Sequence, residues 1–193
     1  MTISLEAGSP AHRLYLRQLA HYLRHSRQVL AAWDAYSGRH SDPVTGQPHD
    51  EESYGRRQQK RDSDTLSAFS SVYYHADELV HAAERQLAQL SRSDRTRRYS
   101  WQVSELADAA ERLHAVLVGL NQGRPGPGGA GYEEALAESY ADAWPYLNQW
   151  TSHGQTLFAI NALAERQPAT TVLNRVGAQP GPTAGAPARR CRP

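Results

Sequence analysis

The chain has 193 residues and a formal net charge of +1, with 21 Lys and Arg against 20 Asp and Glu. Leu, Ile, Val and Phe number 19, 2, 9 and 2, a scarcity that signals disorder when net charge is high; here charge is balanced and 10 Tyr and 4 Trp add apolar bulk, so a modest core with disordered margins is expected. No run approaches the roughly 18 apolar residues of a spanning helix, the N-terminal stretch lacks the pattern of a signal peptide, and the single cysteine, Cys191, excludes a disulfide framework and a cysteine-based zinc site.

Strand patterns are nearly absent, and helical periodicity marks four segments. Segment A covers residues 10–36. Ser9 caps it and Pro10 suits its first position. Leu16, Leu19, Leu23, Ser26, Leu30 and Trp33 follow a 3–4 heptad spacing along it. Residues 37–63 carry Pro, Gly and charge without an apolar period, which predicts a mobile loop.

Segment B, residues 64–90, repeats the spacing through Leu66, Phe69, Tyr73, Ala76, Val80, Ala83, Leu87 and Leu90. Segment C, residues 100–122, does so through Val103, Leu106, Ala110, Leu113, Leu117 and Leu120, with a Gly/Pro hinge after it at 123–131. Segment D, residues 132–167, buries Leu136, Tyr140, Ala143, Leu147, Trp150, Gly154 and Leu157. Pro145 predicts a kink or break within it, and Gly154 is a second soft point.

Residues 1–9 are expected to be flexible. Residues 168–193, rich in Ala, Pro, Gly and Arg, read as a disordered tail. The four apolar faces need one another to leave water, so the expected fold is all-α: a four-helix antiparallel bundle over residues 10–167 with coiled-coil-like seams. Such seams also permit pairing with a second copy, which makes a homodimer an alternative to a closed monomer.

Three chemistries compete for the surface. Glu78 with His81 and Glu111 with His114 both read Glu-x-x-His, and His21 and His25 stand at i and i+4, as metal ligands can. At about 100° per residue, all but His114 point well away from the seams, so no metal is expected. Arg13, Arg17 and Arg24 in segment A, Arg56, Arg57, Lys60 and Arg61 in the loop, and Arg92, Arg95, Arg97 and Arg98 near the B–C turn are candidate contacts for nucleic acid or an acidic partner. The opposing expectation is internal pairing: Glu133, Glu134, Glu138 and Asp142 open segment D and could neutralise segment A. Trp144, Tyr146 and Trp150 form a candidate assembly surface. A basic amphipathic helix could also lie on a membrane surface, but segment A serves equally well as a bundle helix.

No catalytic constellation is present. Cys191 has no scaffold for a base, and the glycines of residues 124–131 lack the Lys-Ser/Thr of a phosphate loop. His75 and His153 are expected on helix surfaces. The sequence therefore leads to a non-enzymatic, cytoplasmic helical protein, without cofactor, that acts through protein–protein interaction or self-assembly. The alternative is an accessory protein for bacterial or plasmid DNA, or for RNA. The ratio of 20 Arg to 1 Lys, with 28 Ala, fits a GC-rich bacterial genome.

Overall fold

A computed structural model describes residues 8–123, 129 and 131–166. The expected tail, Cys191, most of the flexible N-terminus and most of the Gly/Pro hinge lie outside the described residues. Within them the chain is all-helical, with no strand: α1 (Pro10–His40), α2 (Glu51–Tyr73), α3 (Ala76–Gln89), α4 (Asp94–Gly123), α5 (Tyr132–His153) and α6 (Gln155–Arg166). No helix among the described residues is long and apolar enough to cross a membrane.

α1 packs chiefly on α2, α4 on α3 and α5, while α2 lies against α5 and α3 against α6. α2/α3 and α5/α6 thus form the middle of the assembly, with α1 and α4 on opposite flanks. The core gathers the apolar positions of all four segments. Leu19, Tyr22, Leu23, Phe69, Val72, Leu79, Val80, Val103, Leu106, Leu113, Leu147, Trp150 and Ile160 are buried together. The rings of Phe69 and Trp150 lie 5.2 Å apart, and Tyr22 meets Phe69 edge-on at 5.0 Å. The heptad seams are consumed inside this one chain, so they offer little surface for pairing with another.

Boundaries differ from expectation in four places, and one is α4, which begins at Asp94 rather than at residue 100, so that Arg95, Arg97 and Arg98 lie on the helix and not in the turn before it. Residues 51–63, expected in a mobile loop, are the first half of α2, and residues 37–40 end α1. The true connection, residues 41–50, is tied down. Asp42 accepts from the amides of Val44 and Thr45, both at 2.8 Å, Gly46 takes a positive φ of 70°, and His49 N–H donates to the His40 carbonyl. Asp50 then caps α2 by accepting from the Glu52 and Ser53 amides. These bonds favour the ionised forms, and both aspartates are held below the usual carboxylate range: Asp42 first by its backbone bond from Thr45, Asp50 first by the Ser53 side chain.

Segment B breaks at Tyr74–His75 into α2 and α3 while its apolar spacing continues. His75 leaves helical geometry (φ −127°, ψ 9°) and stacks on Tyr15 at 3.8 Å. Segment D does not break at Pro145, which lies inside α5. Pro145 and Ala141 are both exposed, so water can serve the carbonyl that the missing N–H would have bonded. The break falls at Gly154 instead. A Cβ there would come within 2.6 Å of the Trp150 carbonyl oxygen and 3.2 Å of Leu23 Cδ2, so α1 approaches the α5–α6 joint as closely as only glycine allows.

Candidate basic and aromatic interface

The far half of α1 and the first half of α2 form an arm whose packing is aromatic and cationic. Trp33 and Tyr36 of α1 meet Tyr54 of α2, with Trp33 edge-on to Tyr54 at 4.9 Å. Tyr54 and Ser37 share a hydrogen bond of 2.8 Å. Arg57 lies over Tyr36 at 5.6 Å. At the base of the arm the Arg61 guanidinium sits between two indoles, 4.7 Å from Trp33 and 3.7 Å from Trp144 of α5. Its Nε donates to Asp62 Oδ1 at 2.6 Å, and its Nη2 lies 2.5 Å from the same oxygen.

Arg61 and Asp62 keep only 10% and 3% of their side chains exposed. Burial pushes the Asp62 carboxyl above its ordinary range, and Arg61 pulls the other way. A charge withdrawn from water persists where it is paired and stacked. This fixes Arg61 as a structural clamp between α1, α2 and α5. It is not the free contact that the sequence suggested, because its side chain is nearly buried, paired with Asp62 and held over two indole rings.

The assembly surface proposed for α5 is corrected for the same physical reason. Trp150 is 0% exposed at the centre of the core, Tyr146 is half-buried against it, and Trp144 is covered in part by Arg61. Aromatics at helical spacing went inward because burying them removes the largest apolar areas from water.

The remaining cations fall into two groups on opposite flanks. On α4, Arg97 pairs with Asp94, both highly exposed, and Arg95 and Arg98 line a groove towards α6, while Arg92, in the turn before α4, lines another towards α3. On α1, Arg13, Arg17, His21, Arg24 and Gln28 share an outer arc of about 80° and a length of about 22 Å by helix geometry. All five are exposed. Arg13 donates to the Gly8 carbonyl. Among the described residues, no ion pair engages Arg17, Arg24 or Arg27, and none joins α1 to the acids of α5. The internal neutralisation considered from sequence does not form, because α1 packs on α2 and leaves its basic face outward.

At its upper end this row enters a cleft of about 220 Å³ between α1 and α2, lined by Gln28, Ala32, Trp33, Arg57, Lys60, the edge of Arg61 and the carboxylate-bearing Asp64. Lys60 is held by Asp64 at 3.0 Å and Arg56 by Glu52, both one helical turn away and both exposed. Such pairs are worth little in water and exchange readily for another anion.

The histidine candidates disperse. His81 bonds Glu84 at 3.0 Å, and exposed His114 meets the Tyr73 hydroxyl through Nδ1 at 2.6 Å. Glu111 is exposed on α4 and Glu78 half-buried on α3. Among the described residues no three His, Cys, Asp or Glu side chains are grouped to hold a metal ion. His75 and His153 are half-buried rather than on the open surface; His153 lies 5.3 Å from the Trp101 ring. Sequence reasoning missed buried His12, whose Nδ1 accepts from the Gly8 amide at 3.0 Å. Burial holds its pKa below 6.5, while nearby Glu165 raises it and Arg85 lowers it.

The chain matches no family model, no curated protein and no solved structure. Among the described residues its fold and surface are all-helical, with a clamped aromatic arm and a basic helix face whose Arg17, Arg24 and Arg27 form no ion pair.

Proposed function

We propose that this is a non-enzymatic helical protein that acts by binding, with the outer face of α1 as its contact and an acidic stretch of protein as its partner. The observation that carries this is the exposed row Arg17, His21 and Arg24, with Arg27 beside it, whose arginines have no ion pair among the described residues. An unpaired row of like charge on a rigid helix attracts a complementary row and selects against basic surfaces. The architecture that goes with this reading counts α2 with α3, and α5 with α6, as interrupted members of a four-helix antiparallel bundle. The 168–193 segment, outside the described residues, would serve in recruitment, and the protein would be cytoplasmic.

The test is retention of a polyglutamate peptide on the immobilised chain. Binding is expected at low salt and should weaken steeply as salt rises. Arg17→Glu with Arg24→Glu should abolish it with helix content unchanged in circular dichroism. Retention undiminished in that double variant would refute the assignment.

A second reading, association with DNA or RNA, is favoured by the continuation of the row into the cleft of Arg57 and Lys60. A duplex offers a phosphate charge about every 1.7 Å and would occupy row and cleft together. It requires a labelled duplex to shift at about 50 mM salt and to be released as salt rises. Arg95 and Arg98 lie on the other flank, so their reversal should leave that shift unchanged.

A further inference from the structure

We infer that the acidic partner of the α1 face is the α5 face of a second copy of this chain. This rests on the basic face being a binding face, and adds what fits it. Glu134, Glu138 and Asp142 are all exposed and run along the outside of α5. Their spacing of four and four matches Arg13, Arg17 and His21 on α1. Both rows turn by about 40° per step and extend about 12 Å. Both therefore follow the i, i+4 ridge, by which two helices interdigitate at roughly −50°.

The two faces also agree in shape. Leu14 is 44% exposed, one of few large apolar side chains left in water. By helix geometry it stands beside Arg17 and His21. Beside Glu138 and Asp142 lies a groove of about 270 Å³ between α4 and α5, floored by Val116, Gly119 and Leu120. A Cβ placed on Gly119 would meet no atom within 4 Å. An apolar knob flanked by cations thus has its counterpart in a groove whose α4 side is apolar and whose α5 side carries Glu138, Ser139 and Asp142. Within one chain the two do not meet: α1 touches α5 at Tyr22, away from Glu134, Glu138 and Asp142, and no ion pair among the described residues joins α1 to α5. Exposed charge pairs contribute little each, so the Leu14 contact supplies the apolar anchor and the charges supply orientation. The contact joins two different faces, as in a heterologous assembly.

Sedimentation velocity of the full chain tests this at about 20 mM and about 300 mM salt. Mass is expected to rise with concentration at low salt and to return to monomer at high salt. Two charge-reversal variants follow: Arg17→Glu with Arg24→Glu, which makes both faces acidic, and Glu134→Lys with Glu138→Lys, which makes both basic. Each alone should stay monomeric with unchanged helix content, and an equal mixture should associate. Leu14→Ser keeps every charge and should weaken association about tenfold, the factor of a 1.4 kcal/mol contact. Gly119→Leu, which fills the groove, should do the same. Association that persists in either charge variant alone would overturn the inference. A wild-type chain that stays monomeric at low salt also overturns it. If that monomer still retains polyglutamate, the basic face stands as a binding face for another protein. If it retains only a labelled duplex, the nucleic-acid reading takes its place, and if it retains neither, both fall.

Discussion

The two halves of α1 belong to one continuous helix of 31 residues, yet different forces hold them. The first half turns Leu16, Leu19, Tyr22 and Leu23 into a closed apolar core. The second half turns Trp33 and Tyr36 towards a cationic partner strip on α2. Apolar burial is non-directional and scales with area. Stacking a guanidinium between indoles is directional and depends on one carboxylate that balances its charge. A helix can therefore leave a hydrophobic core and stay packed, provided its neighbour carries arginine over its rings.

Substitutions should separate the two regions. The largest effect is expected from Trp150→Ala in the core, about 3–5 kcal/mol, seen as a lower urea midpoint for the whole chain. Arg61→Ala should be nearly as severe locally, because it leaves the Asp62 carboxylate buried without its partner. Hydrogen exchange should quicken in residues 51–64 with little change in α4. Arg61→Met with Asp62→Leu should restore most of the protection, since apolar groups of similar volume replace the pair. Equal loss of protection in both regions would show that arm and core unfold as one unit.

Gly154→Ala should destabilise the α5–α6 joint by roughly 1–3 kcal/mol, because the new methyl meets backbone. Thermal unfolding would register it. Tyr54→Phe, which removes only the hydroxyl bonded to Ser37, should lower arm stability by about 0.5–1.5 kcal/mol and leave the core exchange rates alone. The smallest effect is expected from pH. Burial keeps the folded pKa of His12 below 6.5, so as pH falls through that value the unfolded chain takes up the proton first. Stability should decline from there until the native ring also protonates. Urea midpoints measured from about pH 7.5 to about pH 5 would trace it, and His12→Leu should flatten the profile.

Much of the core was legible in the chain. The 3–4 spacing marked Leu19, Leu23, Phe69, Val80, Val103, Leu106, Leu113, Leu147 and Trp150, and all are buried. The start of α2 was not, because Glu51 to Lys60 shows no apolar period. Its helix rests on an Asp50 cap and on exposed i, i+4 pairs such as Glu52 with Arg56. Those signals were present in the residues Asp50, Glu51 and Glu52, but the flanking prolines and glycines outweighed them. The basic face of α1 could be seen in the sequence; whether α5 neutralised it could not.

The chain by itself determined that helices form and which side of each faces inward, because a helix repeats every 3.6 residues and apolar side chains show that period locally. Only the tertiary structure decided what the charged and aromatic residues do. Arg61 became a clamp and Arg17 has no ion pair among the described residues, although the sequence around each offers cations of the same kind. Their fates depend on neighbours far away in the chain, Trp144 in one case and, in the other, the acids of α5, which form no ion pair with α1 among the described residues although α5 touches α1 at Tyr22.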